Sequence, residues 1–498
     1  MKILLVYPKY PRTFWSFKDA LKFISKKAAF PPLGLLTIAS MLPASWEKRL
    51  ADENVSPISD EQLKWADMVF ISAMIVQKDS SEKIIARCGD LGKKVVAGGP
   101  LFSSQPDLFP EVDHLILGEA EITLLLFLED LEKGMPKRRY ISNERPDITL
   151  TPIPAWSLIR FKDYATLLVQ YSRGCPFDCE FCDITVMNGR IPRVKTPRQM
   201  IGEFQVLYDH GWRGTVFVVD DNFIGNKREV KIMLRELIAW QRVRRYPFKL
   251  FTEASINLAN DEELMGLMSL ANFGDIFLGL ETPCVDSLKE AGKTQNVVSD
   301  LRSAVRGLQG HGLHVMGGFM VGFDHDDPKT IFQEQLAFIQ EIGVPVAMVG
   351  TVMALPGTRL WYRLREEKRL LSETSGNNTT GETNFEPIMG VANLVNGYRK
   401  LLLTLYSAKN YFARIEILVK NYRPQTIHSR CSWSELVALV RSVWRVGVCS
   451  EAWWRYWRVL TKTVFTNIRA FPVVVKLSIY WIHFREVALS AQEKKIGS

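Results

Sequence analysis

Three cysteines in Tyr171-Ser-Arg-Gly-Cys175-Pro-Phe-Asp-Cys179-Glu-Phe-Cys182, spaced CxxxCxxC, are the side chains of this chain best suited to chemistry. Three thiolates on one tight loop can each hold an iron of a 4Fe-4S cluster and leave the fourth iron without a protein ligand, whereas clusters used for electron transfer ordinarily take four cysteines. An open iron accepts a small-molecule ligand. Structural zinc requires four Cys/His ligands, usually in two pairs. No second pair lies near the trio: His210 follows a predicted helix, and the next cysteine is Cys284. The spacing therefore favours a cluster over zinc.

The 498 residues, 47% of them apolar, are enough for two or three domains with their own cores. The seven cysteines are scattered apart from the trio, so no disulfide framework is written here, and a labile cluster needs a reducing compartment. The chain opens with Met1-Lys-Ile-Leu-Leu-Val-Tyr7, a strand-like run without the pattern of a signal peptide. No apolar run reaches the ~18 to 20 residues of a membrane span. The expected location is cytoplasmic, soluble or peripheral at the inner face of the membrane.

The elements that must position the trio follow from hydrophobic patterning. Over 1–135, short apolar runs at Lys2 to Tyr7, Met68 to Ala73, Lys94 to Ala97 and His114 to Leu117 alternate with helical patterns at Leu33 to Leu42 and Ser81 to Leu91, which predicts a doubly wound α/β domain. Its ligands belong at the carboxyl ends of the strands, where Ser72, Gly98, Gly99, Gly118 and Glu119 fall. A Pro-rich stretch, 136–165, reads as a surface linker. Over 166–372 six βα units recur, with strands near Leu167 to Tyr171, Thr215 to Val219, Lys249 to Thr252, Ile276 to Leu280, Val315 to Val321 and Ala347 to Met353. Six units fit a partial (β/α)6 barrel, with polar residues for chemistry at the strand ends. Those residues are Asp220 and Asp221 after the second strand, Glu253 and Ser255 after the third, Glu281 after the fourth, and Gly317-Gly318 with Gly322 around the fifth. Asp220 or Asn222 can equally cap the following helix.

The cysteine motif resembles that of the radical S-adenosylmethionine (SAM) enzymes. The resemblance implies that Cys175, Cys179 and Cys182 bind the cluster and that SAM chelates the open iron, yielding a 5′-deoxyadenosyl radical on reduction. It also implies that Asp220 and Asp221 face the SAM amino group, that Glu253, Ser255 and Glu281 contact the ribose, and that Gly318 and Gly322 line the adenine. Upstream, Pro31-Pro-Leu-Gly-Leu35, Gly98-Gly-Pro100 and Gly118-Glu-Ala-Glu121 resemble the cobalamin-binding domain of the cobalamin-dependent class, with Ser72, Gly98, Gly99, Gly118 and Glu119 as cofactor contacts. The Asp-x-His-x-x-Gly motif of other cobalamin proteins is absent, and His114 is the one histidine before the trio; a His ligand to cobalt is not expected.

Val218-Val-Asp-Asp-Asn-Phe-Ile-Gly-Asn226, Gly292-Lys-Thr-Gln-Asn296, Ala354-Leu-Pro-Gly-Thr358 and Ser375-Gly-Asn-Asn378 together resemble the subgroup that includes the hopanoid C-2 methylases, over residues 1 to about 410. The implied activity is C-methylation of an unactivated carbon on a lipid-like substrate, a hopanoid among the options, with an electron donor such as flavodoxin or ferredoxin. Radical cyclisation, oxidation or rearrangement would use the same parts, and a non-catalytic binding protein would not need them intact.

The region 373–498 is read as helical and basic. From residue 385 onward it holds 17 Lys/Arg against 6 Asp/Glu, enough to account for the chain's whole +9. Trp453-Trp-Arg-Tyr-Trp457 and Val473 to Phe484 have helical spacing with apolar and basic faces. Such helices either lie on an anionic membrane or pack on the barrel with a basic side to solvent. Nucleic acid is a third and less favoured partner.

Overall fold

A computed structural model describes residues 1–424 and 433–493. The first sheet comprises β1 (Lys2–Tyr7), β2 (Glu47–Asp52), β3 (Met68–Ser72), β4 (Lys94–Gly98), β5 (His114–Ile116) and β6 (Arg139–Tyr140). All are parallel, in the order β2-β1-β3-β4-β5-β6. Successive side chains of a strand point to opposite faces, and here both faces are covered. Leu4, Val6, Val69, Ile71 and Val95 enter one apolar core, while Ile3, Leu5, Phe70 and Val96 enter another. That is the doubly wound arrangement expected from the sequence.

Two strands escaped the sequence pattern. β2, Glu-Lys-Arg-Leu-Ala-Asp, is an edge strand whose first half is solvated, and charged edges carry no apolar run. β6 is two residues long and lies in the stretch read as a linker; Ile148 and Trp156 of that stretch are also buried, so it is packed as well as wrapped.

The second sheet follows β7 (Thr166–Val169), after which a short antiparallel ribbon, β8 (Ser172–Arg173) with β9 (Arg193–Val194), frames the cysteine loop. The remaining strands are β10 (Thr215–Val218), β11 (Lys249–Ala254), β12 (Phe273–Glu281), β13 (His314–Val321) and β14 (Ala347–Thr351). They are parallel and in simple sequence order, β7-β10-β11-β12-β13-β14, so all six expected strands form an open βα arc. Residues such as Val216, Val218, Leu250, Thr252, Ile276, Leu278 and Val315 are fully buried under the helices. The alternate residues Glu253, Phe277 and Gly318 are only half-buried and face the lumen.

Among the described residues, five helices complete the fold: Val391–Leu405, Ala408–Asn421, Trp433–Arg445, Trp453–Thr466 and Phe471–Glu493. Their apolar residues merge with the barrel core and with the segment Phe14–Ala29. The last helix is not amphipathic as expected. Val474, Leu477, Ser478, Trp481, His483 and Phe484 are all fully buried, because Phe14 and Phe17 cover one side and Tyr406 and Phe412 another. Its Lys476 is drawn to Asp275 of β12 at 2.6 Å rather than to solvent. Residues 425–432 and 494–498 of the expected basic region lie outside the described residues. No helix among those described is long and apolar enough to cross a membrane.

Gly397 marks the tightest helix packing on the barrel, since a Cβ there would run into the ring of Phe332. Overfilling a packed contact of this kind costs about 1–3 kcal/mol. Gly397→Leu is expected to lower the midpoint of thermal unfolding, followed by circular dichroism.

Candidate active site

The loop carrying Cys175, Cys179 and Cys182 has little regular structure of its own, so its shape depends on what grips it. From one side the grip is acidic. The Asp220 carboxylate accepts from the Tyr171 N–H and from Ser172 Oγ, both at 2.7 Å, and Asp221 accepts from the Gly174 N–H at 2.8 Å and Asn188 Nδ2 at 2.9 Å. Asn222 reaches Cys175 Sγ at 3.8 Å while bonding Ser255, whose hydroxyl donates to Asn257. The cap of the following helix is Asn226, which accepts from the Glu229 N–H; Asp220 and Asn222 are thereby free of the capping role and hold the loop. At Gly174, φ is +97° and a Cβ would stand 2.9 Å from the Ile191 carbonyl, so only glycine permits the turn into the first cysteine.

From the other side the grip comes from motifs to which the sequence assigned no contact. The Glu180 N–H bonds the Ala291 carbonyl at 2.8 Å, and a Cβ on Gly292 would stand 2.9 Å from the Asp178 carbonyl. Gln295 Nε2 lies 4.0 Å from Cys179 Sγ. Lys293, between them, is ion-paired with Glu281 and sits 5.7 Å from the Phe181 ring. Glu180 is also bound through its carbonyl by the Leu360 N–H and through its carboxylate by Arg363. Glu281 itself has φ +60°, a left-handed backbone that turns the strand end toward this ion pair.

The electrostatics are those of a water-poor pocket. Burial pushes all three thiols up, with Lys293 opposing the shift. Burial likewise raises Asp220 to about 7. Glu253 is raised to about 8, by burial first and then by Asp221 and Asp220. Among the described residues no donor or cation pairs with the Glu253 carboxylate, and this unpaired acid at a strand end beside the cysteine loop fits a cationic or hydroxyl-bearing ligand. All three cysteines are free thiols and half-buried. No three His, Cys, Asp or Glu among the described residues are grouped for a single metal ion. Each thiolate of a cluster holds its own iron, so the trio fits a cluster without meeting that condition.

The carboxyl end of the first sheet is fastened to this same loop. Glu119 takes Arg173 Nη1 at 2.8 Å and Arg193 Nη2 at 2.7 Å, while Glu121 takes Arg173 Nη2 at 2.8 Å. Arg173 lies two residues before Cys175. On another flank Gly376 fits against Ile75 and Val76, and Gln105 bonds Glu373 at 2.8 Å. The expected contacts Ser72, Gly98, Gly99 and Gly118 lie together at the ends of β3, β4 and β5. Gly98 and Gly99 are required by the chain's own packing: a Cβ would stand 2.8 Å from the Ile116 carbonyl or 2.6 Å from Ser72 Oγ. Gly118 is different, with φ +77° and nothing nearer than 3.9 Å to an added Cβ, which leaves room for a bulky ligand against its backbone. His114 is at the amino end of β5, buried, with Nδ1 2.7 Å from the Lys137 carbonyl. In the barrel, Gly318 faces the lumen beside Phe277, whereas Gly322 is turned against Leu394 and donates its N–H to Asp326.

Sequence comparison accords with this two-part site. Residues 24–128 match the B12 binding domain, 169–334 the Radical SAM superfamily, and 358–496 a domain of unknown function, DUF4070. An uncharacterized methyltransferase of Synechocystis sp. is 41% identical over 97% of this chain and 91% of its own length. The hopanoid C-2 methylase of Rhodopseudomonas palustris is 33% identical over 92% of this chain and 88% of its own. The chain belongs to the cobalamin-dependent radical SAM family. The cofactors of this family are a 4Fe-4S cluster, SAM and cobalamin, and the protein is a radical SAM enzyme of the methyltransferase type. The fold agrees: the cobalamin-dependent SAM radical enzyme OxsB with aqua-cobalamin bound superposes with a TM-score of 0.63 at 16% identity, over 99% of this chain and 80% of that one. Lys293, Gln295, Arg173 and Arg193 are neighbours of the cysteine loop that strand-end reasoning did not single out. The signal for Lys293 and Gln295 was the Gly-Lys-Thr-Gln-Asn motif, whose contacts only the fold reveals.

The raised pKa of Glu253 makes a pH prediction for the radical SAM protein free of its cofactors. Between the ordinary carboxyl range and about 8 the folded chain binds this proton more tightly than the unfolded chain, so stability falls as pH rises through that window. Glu253→Gln is expected to flatten the fall, measured as urea midpoints from pH 5 to pH 8.5 (about the window bounded by the two pKa values).

Proposed function

We propose that this enzyme methylates an unactivated carbon of a lipid-like, polycyclic substrate of the hopanoid kind. The observation that carries the substrate class is the lumen. Phe217 and Phe251 stack at 4.1 Å between ring centroids, Trp15 approaches Phe277 at 5.1 Å, and Phe30 approaches Phe217 at 5.7 Å. Phe251 and Glu253 alternate along one strand and Ser255 follows just past its end, so this aromatic wall shares a face with the polar strand end. An apolar wall with a few polar groups at one end suits a large apolar ligand. The 33% identity to a hopanoid C-2 methylase supports the same substrate class.

In this reading Cys175, Cys179 and Cys182 hold the cluster, and Asp220, Asp221 and Asn222 act through the loop they grip. Glu253 takes the ammonium or ribose hydroxyls of SAM in a charge-assisted hydrogen bond; Ser255 orients Asn222, and Gly318 lets the Phe277 ring lie flush against the lumen wall. Glu281 serves through Lys293, which places a positive charge beside the thiolates. Ser72 and the Gly118 backbone face cobalamin, within a module spanning 1–135, while Glu119 fixes that module to the barrel module, 166–372. When bound, the cluster with SAM supplies a hydrogen-abstracting radical and cobalamin supplies the methyl group. The chain's part is alignment of the reacting carbon between them and exclusion of water. An electron donor of the flavodoxin or ferredoxin class completes the cycle.

Anaerobic reconstitution with iron, sulfide, cobalamin and methyl-labelled SAM, followed by mass spectrometry of host lipids, is expected to place label in a polycyclic lipid. Cys175→Ala is expected to abolish both the label and 5′-deoxyadenosine. Glu253→Gln is expected to weaken SAM binding about 10- to 100-fold, the worth of a charge-assisted hydrogen bond. Label found only in water-soluble products would refute the lipid assignment while leaving the methyltransferase reading intact.

A further inference from the structure

The helices Trp433–Arg445 and Trp453–Thr466 carry large apolar side chains on the face turned to water as well as on the face turned to the core. In the first, Trp433, Leu436, Val440 and Trp444 recur at helical spacing along one stripe and are exposed, Trp433 by 78% and Trp444 by 63%. The fully buried residues of that helix are the small Ala438 and Ser442, flanked by the half-buried Leu439 and Val443 that also pack on the core. In the second, Trp453, Trp454, Trp457, Val464 and Phe465 are exposed, Trp454 by 61% and Phe465 by 88%, while Tyr456, Val459, Leu460 and Thr463 are buried. Ser442 Oγ and Tyr456 OH meet at 2.8 Å, and Trp457 Nε1 donates to the Gly447 carbonyl at 2.9 Å. The two helices are therefore one hairpin, and both rest on helix Phe471–Glu493. An ordinary surface helix turns its polar side to solvent. Exposed apolar stripes of this kind on two paired helices mark a contact surface.

We propose that this face docks the enzyme on an anionic lipid bilayer. Five of the chain's 13 tryptophans lie here, the residue type that settles at the boundary between headgroups and acyl chains. Charge selects the partner. From 433 to 470 the chain carries six Lys/Arg against Glu435 and Glu451. Arg441 and Arg445 turn inward, toward the Lys22 and Phe23 carbonyls and the Phe23 ring, and Arg458 and Lys462 engage Glu416. Arg455 and Arg469 have no ion pair among the described residues and remain for the headgroups. A second copy seated on the same patch by two-fold symmetry would set this basic rim against itself; an anionic membrane complements it. With no spanning helix among the described residues, attachment is interfacial: aromatic side chains enter the headgroup region and cations hold the phosphates. The surface stands whichever molecule the lumen accepts.

The test is flotation of the full-length protein with vesicles of phosphatidylcholine, with and without phosphatidylglycerol, at low and high salt. Flotation is expected on the anionic vesicles, weakened by salt. The triple variant Trp444→Ser/Trp453→Ser/Trp454→Ser is expected to lose binding by at least about tenfold, given the apolar area removed. Arg455→Glu/Arg469→Glu is expected to lose only the preference for anionic lipid. Brominated phospholipid, used with the unaltered protein, provides a readout independent of any variant's folding: it is expected to quench part of the tryptophan fluorescence. Absence of flotation and quenching would overturn the proposal, as would a folded triple variant that binds like the parent. A dimer in ultracentrifugation that the triple variant converts to monomer, without vesicle binding by either, would assign the face to a second copy instead.

Discussion

The cysteine loop cannot hold its own shape, and the rest of the site is arranged around that constraint. Between β8 and β9 the chain has one short helix, Ile184–Asn188, and otherwise irregular backbone, whose N–H groups must find partners. Asp221 accepts from the Gly174 N–H at 2.8 Å, and Asp220 accepts at 2.7 Å from the Tyr171 N–H, where the chain enters β8. Burying two carboxylates side by side is costly, which is why both are pushed up; the hydrogen bonds from the loop are what offset that cost. The same burial leaves Glu253 without a partner beside them. Positioning of the loop and readiness for a ligand thus have one electrostatic origin.

The second constraint is the joint between the two sheets. Glu119, Glu121, Arg173 and Arg193 form a nearly dry network in which each carboxylate is matched by a guanidinium. Buried ion pairs add little net stability, because desolvation consumes the Coulomb gain. Their value here is geometric. Bidentate Arg–carboxylate contacts fix direction as well as distance, and Arg173 belongs to the cysteine loop while Glu119 ends the crevice of the first sheet. Two modules each meant to hold a cofactor are thereby set in one register, as alignment of two reacting groups demands.

The sequence made the scaffold legible because its signals are local. Apolar runs ending in glycine or acid located all six strands of the second sheet and four of the first. β2 was hidden by its charged edge and β6 by its two-residue length. Spacing singled out the trio Cys175, Cys179 and Cys182, and strand-end position singled out Asp220, Asp221 and Glu253; in the fold the Asp220 and Asp221 carboxylates are turned to the cysteine loop. What spacing could not reveal was partnership over long sequence distances. Lys293 meets Glu281 and the cysteines, and Glu119 meets Arg193, only because the parallel order of strands brings their ends together. Gly98 and Gly99, singled out as cofactor contacts, also meet a packing demand of the chain itself, since an added Cβ would run into the Ile116 carbonyl or Ser72 Oγ. The tail was read correctly in composition and incorrectly in orientation for its last helix, since periodicity reports a face but not what covers it.

The N-terminal segment ties these observations together. Trp15 and Phe30 line the barrel lumen against Phe277 and Phe217, while Phe14 and Phe17, next to Trp15 in sequence, pack on Phe484 of the last helix. A few residues further, the Lys22 and Phe23 carbonyls and Ser25 Oγ accept from Arg441 of the exposed tryptophan hairpin. One short stretch therefore touches the lumen, the buried helix and the hairpin at once. Packed interiors transmit displacement rather than absorb it, so contact made at the hairpin is mechanically continuous with the aromatic wall of the lumen. For the lipid substrate and bilayer contact proposed above that continuity matters, because an insoluble molecule cannot cross water between the two at appreciable concentration.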